Sequence, residues 1–148
     1  MQYLHQDITD RIIKCFYEVY NTLGYGFLEK VYERSMLIEL IQVKLIVSNQ
    51  IPVKVKYKGE FVGDYFADII VNEKVIIEIK AAESIVEEHE LQLINYLRAT
   101  NIEVGLLLNF GKKPEVRRKI FTNDRKMWNT DVTKKKITTD IFNQRKSV

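Results

Sequence analysis

The chain carries a single cysteine, Cys15, which excludes a disulfide framework and a cysteine-rich zinc site. Two prolines and six glycines leave no room for collagen-like or linker-type sequence. Long apolar runs are also missing. Lys, Glu or Asp interrupts each run well before the roughly 18–20 residues of a membrane span. The opening M-Q-Y-L-H-Q-D has no basic region followed by an apolar core, so no secretory signal is predicted. Hydrophobic residues make up 46% of the 148 and charged residues 29%, the balance of a chain that buries one core. The expectation is one cytoplasmic domain without a membrane partner.

Charge is unevenly placed. Residues 1–111 hold 11 Lys and Arg against 16 Asp and Glu, a net of −5, whereas residues 112–148 hold 12 against 4, a net of +8. The division predicts a domain over 1–122 and a basic C-terminal extension over 123–148. Such a segment can neutralise phosphates, or it can be a solvated tail. Lys112, Lys113, Arg117, Arg118, Lys134, Lys135 and Lys136 are the candidate nucleic-acid contacts.

Ile8, Ile12, Phe16, Val19 and Leu23 recur at helical spacing and predict a first helix, with Thr9 or Asp7 as its cap and Gly24 and Gly26 as its end. A second helix is expected from about Phe27 to Lys44, with Leu28, Val31, Tyr32 and Ser35 on one side. Three strands follow. Ile51 to Tyr57 alternates, with Pro52 near its start. Lys58-Gly59-Glu60 turns into Phe61 to Val71, and Val75 to Ala81 is rich in Ile and Val. Ser84 and Glu87 have capping-box spacing and predict a third helix running to about Arg98. Val104 to Phe110 is the continuous apolar run of a strand covered on both faces. Val116 to Thr122 adds a last strand, and a short helix is placed near Asp140. The order implies an α/β fold: a central mixed sheet flanked by helices.

Polar residues inside these apolar strands carry the chemistry. Asp68 interrupts F-A-D-I-I-V, and Glu78 and Lys80 interrupt V-I-I-E-I-K-A. A carboxylate or ammonium there is costly unless paired or bound to a metal. Glu78 and Lys80 are two apart and share a face. Asp68 joins them only if the intervening hairpin has a three-residue loop, which pairs Val71 with Val75, or a bulge with the same effect. A two-residue loop pairs Val71 with Lys74 and sends Asp68 to the other side. An ordinary hairpin with an exposed Glu78–Lys80 ion pair is the bland alternative. On the third helix His89, Gln92 and Tyr96 fall on one stripe. Glu29 sits in the first turn of its helix, where the dipole favours a carboxylate.

Gly26, Glu29 and Tyr32 read G-x-x-E-x-x-Y. With A-D-I-I-V, E-I-K, H-E-L-Q-L-I-N-Y-L and N-F-G, they make the chain resemble the GxxExxY protein family, a branch of the PD-(D/E)xK nuclease-like superfamily. The likeness spans roughly Asp7 to Ile120, and the Gln92-to-Tyr96 spacing resembles the Q-x3-Y signature of exonuclease-type members. The resemblance implies a restriction-endonuclease-like single domain. It implies that Glu29, Asp68, Glu78 and the backbone carbonyl of Ile79 hold Mg²⁺ or Mn²⁺, hard cations that prefer oxygen donors. Lys80 would position or deprotonate the attacking water or stabilise the phosphate, and Gln92 would orient water or substrate. Tyr32, His89 and Tyr96 would support.

The leading expectation is a metal-dependent nuclease cleaving phosphodiesters of DNA, less readily RNA, by metal-activated water. The rival is a non-catalytic nucleic-acid- or protein-binding module with the same fold. A structural subunit docking on an acidic partner is the weaker third. Whether the chain works as a homodimer is left open. Cys15 is read as helix packing and His5 as solvated. Trp128, Tyr57 and Tyr65 are read as packing residues that can also stack on bases.

Overall fold

A computed structural model describes residues 2–126. Trp128, Lys134, Lys135, Lys136 and the helix placed near Asp140 lie outside the described residues.

Eight main elements run in the order α1 (Gln6–Leu23), α2 (Glu29–Gln42), β1 (Val47–Tyr57), β2 (Glu60–Val71), β3 (Val75–Lys80), α3 (Glu87–Ala99), β4 (Val104–Phe110) and β5 (Pro114–Ile120). The strands form one five-stranded sheet in sequence order. Only β3 and β4 are parallel; the other neighbours are antiparallel. Parallel neighbours need a crossover, and α3 supplies it. This is the mixed α/β sheet expected from the element order.

The helices cover opposite faces. Ile12, Phe16 and Val19 of α1 and Tyr32, Met36 and Leu40 of α2 pack on Ile77, Ile79, Leu106 and Leu108. On the other face Leu93, Tyr96 and Leu97 of α3 pack on Ile76 and Leu107. β4 is buried along its whole length, as its apolar run requires.

Several local expectations are corrected. α1 starts before Asp7 and Thr9, so neither caps it; His5 is the N-cap, and Gln6 Oε1 instead accepts from the Tyr3 N–H. In α2 the buried stripe is Tyr32, Met36 and Leu40, joined by Glu33, while Leu28 and Val31 are exposed. The helix rotates because only the Tyr32 stripe faces the sheet. Ser84 and Glu87 do not form a capping box. α3 starts at Glu87, and its N-cap Val86 donates its backbone N–H to His89 Nδ1 at 3.2 Å. Pro52 lies inside β1, not near its start, which is tolerated because β1 is an edge strand. The packed body reaches Lys126, whose buried ammonium donates to the carbonyls of Thr100 and Ile102, each at 2.8 Å.

Candidate active site

The hairpin between β2 and β3 pairs Val71 with Val75, Ile70 with Ile76 and Ile69 with Ile77. That is the three-residue loop, and it sets Asp68 across from Glu78 on the α3 side of the sheet. Asn72 and Glu73 both take positive φ, and Lys74 N–H closes the turn on Val71 O at 2.9 Å.

Past Ile69 the ladder gives way to side-chain bonds. Ile79 N–H donates to Asp68 Oδ2 at 2.8 Å, and Asp68 N–H donates to Glu78 Oε1 at 3.3 Å. Each acid thus occupies a backbone donor of the opposite strand, which fixes both carboxylates at the point where the strands part. Backbone amides alone do not compensate their charge. Burial and the neighbouring Asp68 push Glu78 up to about 9. Burial also raises Asp68, against the pull of the Ile79 N–H, the Gln50 amide and Lys80; the charge of Glu29 adds to the rise.

Lys80, Gln92 and Tyr96 form a chain beside this pair. Lys80 Nζ donates to Gln92 Oε1 at 3.2 Å, and Gln92 Nε2 donates to the Tyr96 hydroxyl at 3.1 Å. Burial, then the charges of Glu78 and Asp68, push Tyr96 up to about 12. The helical stripe on α3 therefore faces the acids, as its spacing requires. His89 lies at the start of that helix and is occupied as a cap.

Glu29 opens α2, exposed, close enough for its charge to act on Asp68. Its position is set by Tyr32. The Tyr32 hydroxyl donates to Gly24 O at 2.7 Å and accepts from the Phe27 N–H at 3.2 Å, and its ring stacks on Phe110 at 4.2 Å. G-x-x-E-x-x-Y is thus a brace: the tyrosine ties down the loop that delivers the glutamate. Gly24 follows α1 with φ of 68°, a conformation that favours glycine.

Two residues were missed by sequence reasoning. Glu33 is buried and accepts from Gln50 Nε2 at 2.7 Å and Asn49 Nδ2 at 3.4 Å. Gln50 Nε2 also reaches Asp68 Oδ1 at 3.4 Å. Gln50 has φ of 51° and sits where the sheet changes sides: Val47, Ile69 and Val71 pack under α1 and α2, whereas Ile51, Val53 and Ala67 pack under α3. The signals in the sequence were weak. Glu33 is one helical turn beyond Glu29, and Gln50 directly precedes the alternating strand.

The N-F-G motif also gains a physical role. Asn109 is buried; its amide donates to Ala82 O and Glu115 Oε1, and its oxygen accepts from Ala82 N–H. It fastens the segment between Lys80 and α3. Gly111 passes so close that an added Cβ would stand 2.4 Å from Ala82 O. Among the basic candidates, Arg117 pairs with Glu115, and Arg118 donates to Leu4 O beneath the Tyr3 ring. Lys112 and Lys113 line a surface hollow with Glu83 and Glu115.

Among the described residues no cluster of three or more Asp, Glu, His or Cys side chains is gathered tightly enough to hold a metal ion. Asp68 and Glu78 stand together on the strands, and Glu29 is exposed at the start of α2. The pair still fits a divalent cation. Two adjacent carboxylates whose ionisation burial opposes are hard oxygen donors short of positive charge.

A family model for the PD-(D/E)XK nuclease superfamily matches residues 6–119. No curated protein and no solved structure gives a significant match. No helix among the described residues is long and apolar enough to cross a membrane.

Proposed function

From the premise that the chain belongs to the PD-(D/E)XK nuclease superfamily, we propose that it hydrolyses phosphodiester bonds of DNA, with RNA the secondary substrate, using Mg²⁺ or Mn²⁺. The GxxExxY branch is our reading of the Gly26, Glu29 and Tyr32 brace. The observation that carries the proposal is the adjacent Asp68–Glu78 pair next to the Lys80–Gln92–Tyr96 chain.

Asp68 and Glu78 would hold the cation, with the Ile79 carbonyl as a further oxygen donor. When bound, such a cation lowers the pKa of water and offsets charge on phosphate oxygens. The remaining work falls to the chain itself. Ile79 N–H holds Asp68 in one orientation, so its carboxylate is preorganised. Lys80 gives one hydrogen bond to Gln92, and its other donors are available for a phosphate oxygen or the attacking water. Gln92 keeps the ammonium on the acid side, and Glu29 adds negative charge at the rim.

One observation favours the rival reading, a non-catalytic nucleic-acid-binding module: the third acid does not close on the first two. Cleavage decides between them. Plasmid and single-stranded DNA are incubated with Mg²⁺ or Mn²⁺ and wild type, Glu78→Ala or Lys80→Ala. Hydrolysis by wild type alone supports the nuclease. Equal residual activity in all three assigns it to contamination and leaves the binding module.

A further inference from the structure

β2 pairs with β3 only from Ile69 to Val71, yet its pairing with β1 continues out to Tyr57 and Glu60. Beyond Asp68, therefore, β1 and β2 leave the sheet as a two-stranded arm. Its root packs on α3 through Val53 and Ala67. Its outer part exposes Tyr57, Phe61, Val62, Tyr65 and Phe66, with Tyr57 63% and Phe61 50% exposed. A two-stranded hairpin gains little stability from surface rings in water, and an exposed aromatic cluster of this kind marks an interaction surface.

Three lysines lie against these rings. Lys54 and Lys56 Nζ are 5.3 and 4.9 Å from the Phe61 centroid, and Lys58 Nζ is 5.4 Å from that of Tyr57. Lys54 also meets Asp64 at 3.5 Å, an exposed and weak pair. At the arm's inner end the Tyr65 ring is 5.6 Å from that of Tyr96, the residue bonded to Gln92. Tyr65 therefore brings the arm's inner end up to the residues beside the acids.

A second copy adding a strand here is disfavoured by the edge itself. β1 is the edge strand, Pro52 removes a donor from it, and Lys54, Lys56 and Lys58 repel an identical edge. Rings interleaved with ammonium groups suit a polyanion with exposed π faces. We propose that the β1–β2 arm docks a single-stranded stretch of nucleic acid. Its bases stack on Tyr57, Phe61 and Tyr65, and its phosphates lie against Lys54, Lys56 and Lys58. Lys56 pairs with Phe61 on one side of the arm and Tyr65 meets α3 on the other, so the strand crosses the arm on its way to Asp68 and Glu78. The inference rests on the nuclease reading for the identity of the ligand.

The test is fluorescence anisotropy of a labelled single-stranded oligodeoxynucleotide with the full chain in EDTA, so that no cleavage intervenes. Tyr57→Ala with Phe61→Ala is expected to weaken binding about tenfold or more. Tyr57→Trp with Phe61→Trp should restore it. Replacing Lys54, Lys56 and Lys58 by Gln should reduce the slope of log affinity against log salt by about 2. Unchanged binding in the Ala variant overturns the proposal. So does equal loss in the Ala and Trp variants, which assigns the effect to hairpin shape, or a change of molecular mass with binding intact, which assigns the arm to a second copy. Arm-dependent binding by a wild type that never hydrolyses DNA defeats only the nuclease reading. Hydrolysis with arm-independent binding defeats only the arm.

Discussion

Glu78 is an acid that folding pushes toward its neutral form, and this has a thermodynamic consequence. A carboxyl whose pKa rises on folding binds more protons folded than unfolded. Its contribution is fully present below its ordinary value of 4.5 and is lost as pH rises toward about 9. Asp68 shifts in the same direction. Denaturant titration of the metal-free chain should therefore show stability falling from pH 5 to pH 8, and Glu78→Gln should flatten the fall. The range stops there because Lys126, pushed down to about 8 by burial, acts with the opposite sign above it. A steeper fall in Glu78→Gln would contradict the assignment. Gln50 is the second residue-scale case. It holds Asp68 and Glu33 through one amide nitrogen. Gln50→Ala should weaken Mn²⁺ binding about tenfold, the cost typical of losing an orienting partner of a ligand. Calorimetry reads this directly, and unchanged affinity would reduce Gln50 to a structural role.

At the scale of elements, the site depends on two braces. Tyr32 ties the α1–α2 loop, and Asn109 ties the segment between β3 and α3. Tyr32→Phe keeps the ring on Phe110 but leaves the Gly24 carbonyl and Phe27 amide without their partner. Thermal or urea unfolding should show a loss of about 1–3 kcal/mol. No loss would mean that water replaces the hydroxyl. The same elements show what the sequence made legible. The unbroken apolar run of β4 announced a strand covered on both faces. The spacing of Glu78 and Lys80 announced a shared face, and of the loop or bulge that could bring Asp68 there the hairpin uses the three-residue loop. The side-switch at Gln50 was hidden, because a non-glycine residue with positive φ leaves no compositional trace. The third helix starts later than its spacing predicts because Ser84 has the right spacing but the wrong surroundings: the Asn109 and Glu115 contacts hold residues 82 and 85 off the helix. Of the second helix's expected stripe only Tyr32 is buried, because apolar residues lie around much of its circumference and periodicity does not choose Tyr32, Met36 and Leu40.

For the whole molecule, the proposed function has a weakly acidic body meet a polyanion. It would do so through three features together, namely the acid pair filled by a cation, the arm, and the basic C-terminal segment. Removal of residues 127–148 should weaken DNA binding and flatten its salt dependence. An unchanged salt slope in anisotropy titrations would assign that segment to solvation. The resemblance read from the sequence reached the superfamily because its motifs lie on the elements that build the site. A motif fixes which helix carries Glu29 but not how far its side chain stands from the sheet.

The nuclease reading stands or falls on whether Asp68 and Glu78 together hold one divalent cation beside Lys80. Mn²⁺ titration decides this, followed by calorimetry or by the electron paramagnetic signal of free Mn²⁺. The expected outcome is a site in the wild type that Asp68→Ala or Glu78→Ala abolishes and Lys80→Ala preserves. Equal Mn²⁺ binding in the wild type and Glu78→Ala would refute it.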